Sequence, residues 1–152
     1  MHGLGDALRW LSMACLGVFL GANLTEGAVL VPYWRALAPD QFFAWYAAND
    51  QRLMDFFAPL TTVTALLAIA AALVSAWQGH GGRWPAAVAA ILALVVVSTF
   101  FIYFQRANAS FSAASISAAD LPAELAQWAA WHWLRTILSG VAFAAALWSV
   151  RR

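Results

Sequence analysis

The chain predicts an all-α integral membrane fold, four transmembrane helices in an up-and-down bundle, and three observations carry that expectation. Of 152 residues 64% are hydrophobic and only 10% charged, against roughly 25% charged in soluble domains. Mean hydropathy is +0.73. Four apolar runs, about 8–33, 53–78, 84–108 and 125–149, each approach or exceed the ~20 residues a helix needs to cross the hydrocarbon core. They take up most of the length, so residues 1–152 read as one transmembrane domain without a soluble module.

The first run continues past the length of a signal h-region into Val29-Leu30-Val31. Ser12-Met13-Ala14-Cys15 lacks the leucine that a lipoprotein cleavage site carries, so the run reads as a retained helix. Within it Gly17 and Gly21 have the small-xxx-small spacing that lets a neighbouring helix approach closely. Pro39-Asp40 ahead of Phe42, Phe43, Trp45 and Tyr46 predicts a short capped helix in the first outer loop, lying in the interface as an anchor or a lid. Gln78-Gly79-His80-Gly81-Gly82-Arg83 is a glycine turn that makes the second and third helices antiparallel neighbours. Residues 109–124 form an alanine- and serine-rich loop until Asp120-Leu121-Pro122 starts the fourth helix.

Eight arginines against seven acids give a net charge of +1, so no nucleic acid is expected as a partner. The lone Cys15 excludes an internal disulfide and a multi-thiolate metal site. His2 and His80 read as solvated. Expected partners are the lipid bilayer and a lipophilic small molecule, with a homo-oligomer left open. Trp10, Trp77, Trp84 and Trp148 mark one membrane boundary, because indoles prefer the membrane–water interface. That face also holds Arg9, Arg83, Arg151 and Arg152, whereas the other holds Arg35, Arg52 and Arg106. The positive-inside rule then puts both termini in the cytoplasm of a bacterial inner membrane, with Asp40, Asp50, Asp120 and Glu124 outside.

Ionisable residues deep inside the spans mark function by default. Glu26 lies 16 residues beyond Trp10 and His132 lies 16 before Trp148, which puts both roughly 24 Å from the inner boundary. Asn23 and Arg135 are each 13 residues in, Thr61 is 16 and Tyr103 is 19. Four helices therefore bring polar side chains to one region. Trp128, His132, Arg135 and Ser139 share one face of the fourth helix, and Asn23 and Glu26 share one on the first. On the third, Thr99, Tyr103 and Arg106 form one stripe and Phe101, Gln105 and Asn108 another, and periodicity does not choose between them. A bland reading stands beside each: Glu26 and Arg135 as an ion pair fixing helix register, Arg106 snorkelling outward, Tyr103, Thr61 and Thr62 as packing residues, and Trp131 and Trp133 as belt residues.

The chemistry available is that of an imidazole base, a carboxylate that sets its tautomer and an arginine that stabilises a developing anion, with Trp128 and Trp131 as flat apolar walls. Glu26 and His132 supply only two ligands to a metal, where three are usual. A bis-histidine haem site lacks its second deep histidine.

These residues resemble the anthrone oxygenase-like family of small four-helix membrane proteins. The resemblance runs through Gly17, Gly21 and Glu26 into Val31-Pro32-Tyr33-Trp34-Arg35, the third-helix Gln105-Arg106-Ala107-Asn108, and Trp128-Ala129-Ala130-Trp131-His132-Trp133-Leu134-Arg135-Thr136. The chain departs from the usual pattern at His132, where members often carry asparagine, and lacks a proline shortly before Asn108. The resemblance implies an oxygenase acting without a metal or organic cofactor on planar anthrone-type polyketide substrates. On it, His132 is the base, Glu26 its orienting partner and Arg135 with Asn108 the anion stabilisers. Asn23, Tyr103, Trp128 and Trp131 complete the substrate site. Two other classes stay open: a small proton-coupled transporter using Glu26, and a non-enzymatic membrane subunit whose polar layer is structural.

Overall fold

The computed structural model describes residues 2–151 of the chain, and side chains from Gly3 onward. Arg152 and the His2 side chain lie outside the described residues. The elements are α1 (His2–Thr25), a π-helical turn (Glu26–Leu30), α2 (Val31–Ala36), α3 (Pro39–Trp77), α4 (Arg83–Thr99), a second π-helical turn (Phe100–Phe104), α5 (Gln105–Ser112) and α6 (Leu121–Val150). The π turns are continuous with the helices around them. Four rods result, Gly3–Ala36, Pro39–Trp77, Arg83–Ser112 and Leu121–Val150, each long and apolar enough to cross a membrane. The protein is an integral membrane helix bundle.

α1 packs against α3 and α6, and α4 packs against the same two, so the rods form a closed ring in chain order. Leu37 and Ala38 alone separate α2 from α3, and a glycine turn with Gly79 at φ +63° separates α3 from α4. Such short connections make sequential rods antiparallel. Val18, Leu66, Leu73, Ile91 and Ile137 face outward around the ring, where lipid tails solvate them. The four boundary tryptophans, Trp10, Trp77, Trp84 and Trp148, are exposed as well.

The interior divides into two halves. Ala65, Ala68, Ala71, Ala86, Ala89, Ala93, Ala142 and Ala146 fill the half toward the glycine turn, where small side chains let helices approach closely. At Gly82 the approach is tightest: a Cβ there would stand 2.3 Å from the Ser149 carbonyl oxygen. The opposite half is aromatic. Trp34, wholly buried, meets Trp128 at 5.3 Å and Tyr46 at 5.7 Å between ring centroids, while Phe42 meets Phe111 at 5.1 Å. Edge-to-face pairs of this kind add roughly 0.5–1.5 kcal/mol each beyond area burial.

One expectation needs correcting. The first outer loop carries no separate interfacial helix, because residues 40–52 form the opening turns of the 39-residue α3. The polar Asn49-Asp50-Gln51-Arg52 stretch interrupts the apolar run but contains no helix breaker, and Phe42 and Tyr46 turn inward onto Trp34. Pro39 starts this helix, with the Ala38 N–H donating to Gln41 Oε1 at 3.2 Å. At the glycine-turn end, Arg9 is buried, pairs with Asp6 and donates to Ser75 Oγ at 3.3 Å.

Candidate functional site

Glu26, His132 and Arg135 meet between α1 and α6. Arg135 Nη2 donates to Glu26 Oε2 at 2.6 Å, and Arg135 Nε and Nη2 lie 3.2 and 3.0 Å from His132 Nδ1. His132 Nε2 stands 2.8 Å from the Asn23 carbonyl oxygen. A carbonyl only accepts, so the proton is on Nε2 and Nδ1 carries the free lone pair, which receives the Arg135 N–H. Glu26 Oε2 is 3.5 Å from that Nδ1. Since both are acceptors in this tautomer, the guanidinium between them links the pair. The main chain of Asn23 thus fixes the tautomer, a role expected of Glu26.

Ring contacts hold this layer. Trp128 stacks on His132 at 5.1 Å and 8°, and its Nε1 donates to Asn108 Oδ1 at 2.9 Å. The Arg135 guanidinium lies 4.2 Å from the Phe104 ring centroid and 5.7 Å from that of Trp128, within the ~6 Å range of cation–π attraction. Asn108 therefore positions Trp128. Asn23 Nδ2 donates to the Phe19 carbonyl at 3.1 Å, and its buried Oδ1 has no hydrogen-bond partner among the described residues. His132 is inaccessible and Glu26 nearly so, but 14% of the Arg135 side chain remains open. The one accessible face of the trio is a cation.

Both π turns flank this layer. Glu26 opens the first, and Phe104, against Arg135, closes the second. Each inserts an extra residue per turn, a distortion frequent at functional sites. The second turn also resolves the two stripes of the third rod. Neither faces inward as a whole: Thr99 is buried, Tyr103 and Asn108 are half-buried, and Phe101, Gln105 and Arg106 are exposed. Tyr103 and Trp131 form a parallel stack at 5.3 Å and 7°, with the Tyr103 hydroxyl donating to Glu124 at 2.8 Å, farther out than the ion pair.

Several neighbours escaped sequence reasoning. Gly27 is buried against the histidine, and a Cβ on it would stand 2.9 Å from His132 Nε2. Tyr46 lies within electrostatic range of Glu26 and Arg135. Glycine directly after a buried acid was the available signal for the first, whereas nothing in the pattern marked Tyr46 or Phe104. Thr61 and Thr62 back-bond to the Phe57 and Ala58 carbonyls, and Thr62 is exposed. No three His, Cys, Asp or Glu side chains converge as metal ligands among the described residues. Outside the spans, His80 accepts the Gly82 N–H on Nδ1 at 2.9 Å, and desolvation holds its pKa below the usual imidazole range.

The fold and site define a polytopic four-helix membrane protein with a paired charge cluster buried between its first and last helices. Within that class the chain belongs to the anthrone oxygenase family, whose model, described as Anthrone oxygenase, matches residues 42–145. The match takes in Tyr103, Asn108, Trp128, Trp131, His132 and Arg135 and begins after Asn23 and Glu26. At family level this supports an oxygenase-like membrane protein. No curated protein and no solved structure matches the chain.

Proposed function

We infer that the protein is a membrane oxygenase that converts the methylene of a planar, lipophilic anthrone-type substrate to a ketone with dioxygen, by base catalysis from its own side chains. The observation that carries this reading is the Glu26–Arg135–His132 cluster, in which a neutral imidazole offers its lone pair to an arginine that is itself partly accessible. An oxyanion of the substrate would bind the open face of Arg135 and draw the guanidinium off His132 Nδ1. That exchange frees the lone pair for proton abstraction. Glu26 retains Arg135 in place, and Asn23, Asn108, Trp128, Tyr103 and Trp131 shape the aromatic surroundings.

The chemistry balances without another reagent. Nδ1 takes one methylene proton, and the carbanion, delocalised as a phenolate, gives its electron pair to dioxygen and forms the C–O bond. The peroxide oxygen recovers a proton from Nδ1. Loss of the second methylene proton with O–O cleavage leaves C=O and water, so CH2 and O2 become C=O and H2O. Arg135 stabilises the oxyanion as charge develops. We further infer a bacterial inner-membrane location with cytoplasmic termini, from the arginine distribution.

His132→Ala in purified protein with unchanged unfolding behaviour tests the assignment. Turnover should fall by about 10²–10⁴-fold, the usual worth of a general base, and unchanged turnover would remove His132 from the mechanism. The complete pairing of the cluster favours a second reading, in which it only holds α1 and α6 in register. Replacing Glu26, His132 and Arg135 together with packed apolar residues, and retaining function, would establish that reading.

A further inference from the structure

Helical serines in this protein commonly return their hydroxyl to the main chain: Ser98, Ser110, Ser112 and Ser139 each donate to a carbonyl three or four residues back. Ser149 does not. Its hydroxyl is buried and has no hydrogen-bond partner among the described residues, although buried polar groups are nearly always paired. Ser12 is buried too, and its hydroxyl likewise makes no hydrogen bond among them. Both serines line one small cavity near the glycine turn, together with Arg9 and with alanines of α3, α4 and α6. Arg9 carries five N–H donors. Ser75, Gln78 and Asp6 accept from its two terminal nitrogens, which leaves further donors to satisfy.

We propose that this cavity binds one ordered water, which bridges the Arg9 guanidinium to the Ser12 and Ser149 hydroxyls. The space accommodates about one water, and the three polar groups in its wall match the roughly three hydrogen bonds that a buried water makes. Water both donates and accepts, so it can take a guanidinium N–H and serve two hydroxyls. A direct bond already ties Arg9 on α1 to Ser75 on α3. The water adds α6, where the Ser149 main chain packs closely against Gly82 at the start of α4. The result is a hydrated polar knot that closes the glycine-turn end of the bundle. It is separate from the Glu26–Arg135–His132 layer and independent of what that layer catalyses.

The test uses the full chain, crystallised from lipid. Density for one water should lie within about 3.2 Å of Ser12 Oγ, Ser149 Oγ and an Arg9 nitrogen. The second measurement is NMR in lipid nanodiscs, with alanine methyl groups protonated and labelled with carbon-13 in an otherwise deuterated protein. There the Ala71, Ala86 and Ala146 methyls, which line the cavity, should show cross-relaxation with water. Ser149→Val removes the hydroxyl and puts a methyl in the space, so it should abolish both signals and leave the Arg9–Ser75 bond in place. Absence of the density or of the cross-relaxation in the native protein overturns the proposal, as does cross-relaxation that persists in folded Ser149→Val. Anomalous density in the cavity after bromide exchange would identify an anion there and overturn it as well. If Ser149→Val fails to fold, the two native-protein measurements decide.

Discussion

Replacing Gly27 with alanine tests the packing of the site directly. The new Cβ would lie 2.9 Å from His132 Nε2, 3.0 Å from its Cδ2 and 3.3 Å from Trp133 Cζ2. Ordinary contact requires a retreat of about 0.5 Å, and dispersion contacts are sensitive on that scale. His132 cannot retreat freely, being stacked on Trp128 and bonded to the Asn23 carbonyl at 2.8 Å. Overpacking costs about 1–3 kcal/mol, and weakening that hydrogen bond adds about 1 kcal/mol. Alanine returns up to about 1 kcal/mol through helix propensity, so the net destabilisation is about 1–3 kcal/mol. Gly21→Ala provides the reference, since a Cβ on Gly21 would have nothing within 4 Å, and it should gain up to about 1 kcal/mol. Reversible unfolding in mixed micelles, followed by tryptophan fluorescence, should separate the two variants by about 2–4 kcal/mol. Equal stabilities would refute the close contact between Gly27 and His132.

Arg135→Leu leaves Glu26 buried without its partner and should destabilise by about 3–5 kcal/mol. The Glu26→Leu/Arg135→Leu double variant should recover most of that loss in the same unfolding assay. Gly82→Ala should be more damaging than an ordinary turn substitution, because its Cβ meets the Ser149 backbone, which has no side-chain freedom to yield; the loss is read as a lower midpoint of thermal unfolding. For His80, desolvation lowers the folded pKa below the unfolded one. The unfolded chain then binds more protons between the two values, so the contribution is present above the unfolded pKa and disappears as pH falls through the folded one. An NMR titration should give a midpoint below that of a random-coil histidine, and His80→Gln should flatten the corresponding pH dependence of stability.

Much of the architecture was legible because the hydrocarbon core imposes one length scale on every span. Counting from Trp10 and Trp148 put Glu26, His132, Asn23 and Arg135 in one layer, and these four residues are in contact. The order within the layer was less legible. Whether a carboxylate or a main-chain carbonyl meets the imidazole depends on rotamers and on a π turn at Glu26, neither of which changes the apolar pattern. The same limit affected the third rod, where the extra residue at Phe100–Phe104 carries Tyr103 and Asn108 from separate predicted stripes to half-buried positions. The continuous α3 escaped notice because polar residues end an apolar run without ending a helix.

In the proposed reaction the cluster of Glu26, Arg135 and His132 catalyses insertion of oxygen from dioxygen into a bound anthrone. Its most direct test is oxygen-18 labelling with purified protein in nanodiscs. One dioxygen should be consumed per anthrone, with one labelled oxygen in the new ketone and the other in water, and the enzymatic rate should be lost in His132→Ala. Label absent from the ketone under conditions that exclude carbonyl exchange, or uptake no faster than in protein-free nanodiscs, would contradict it.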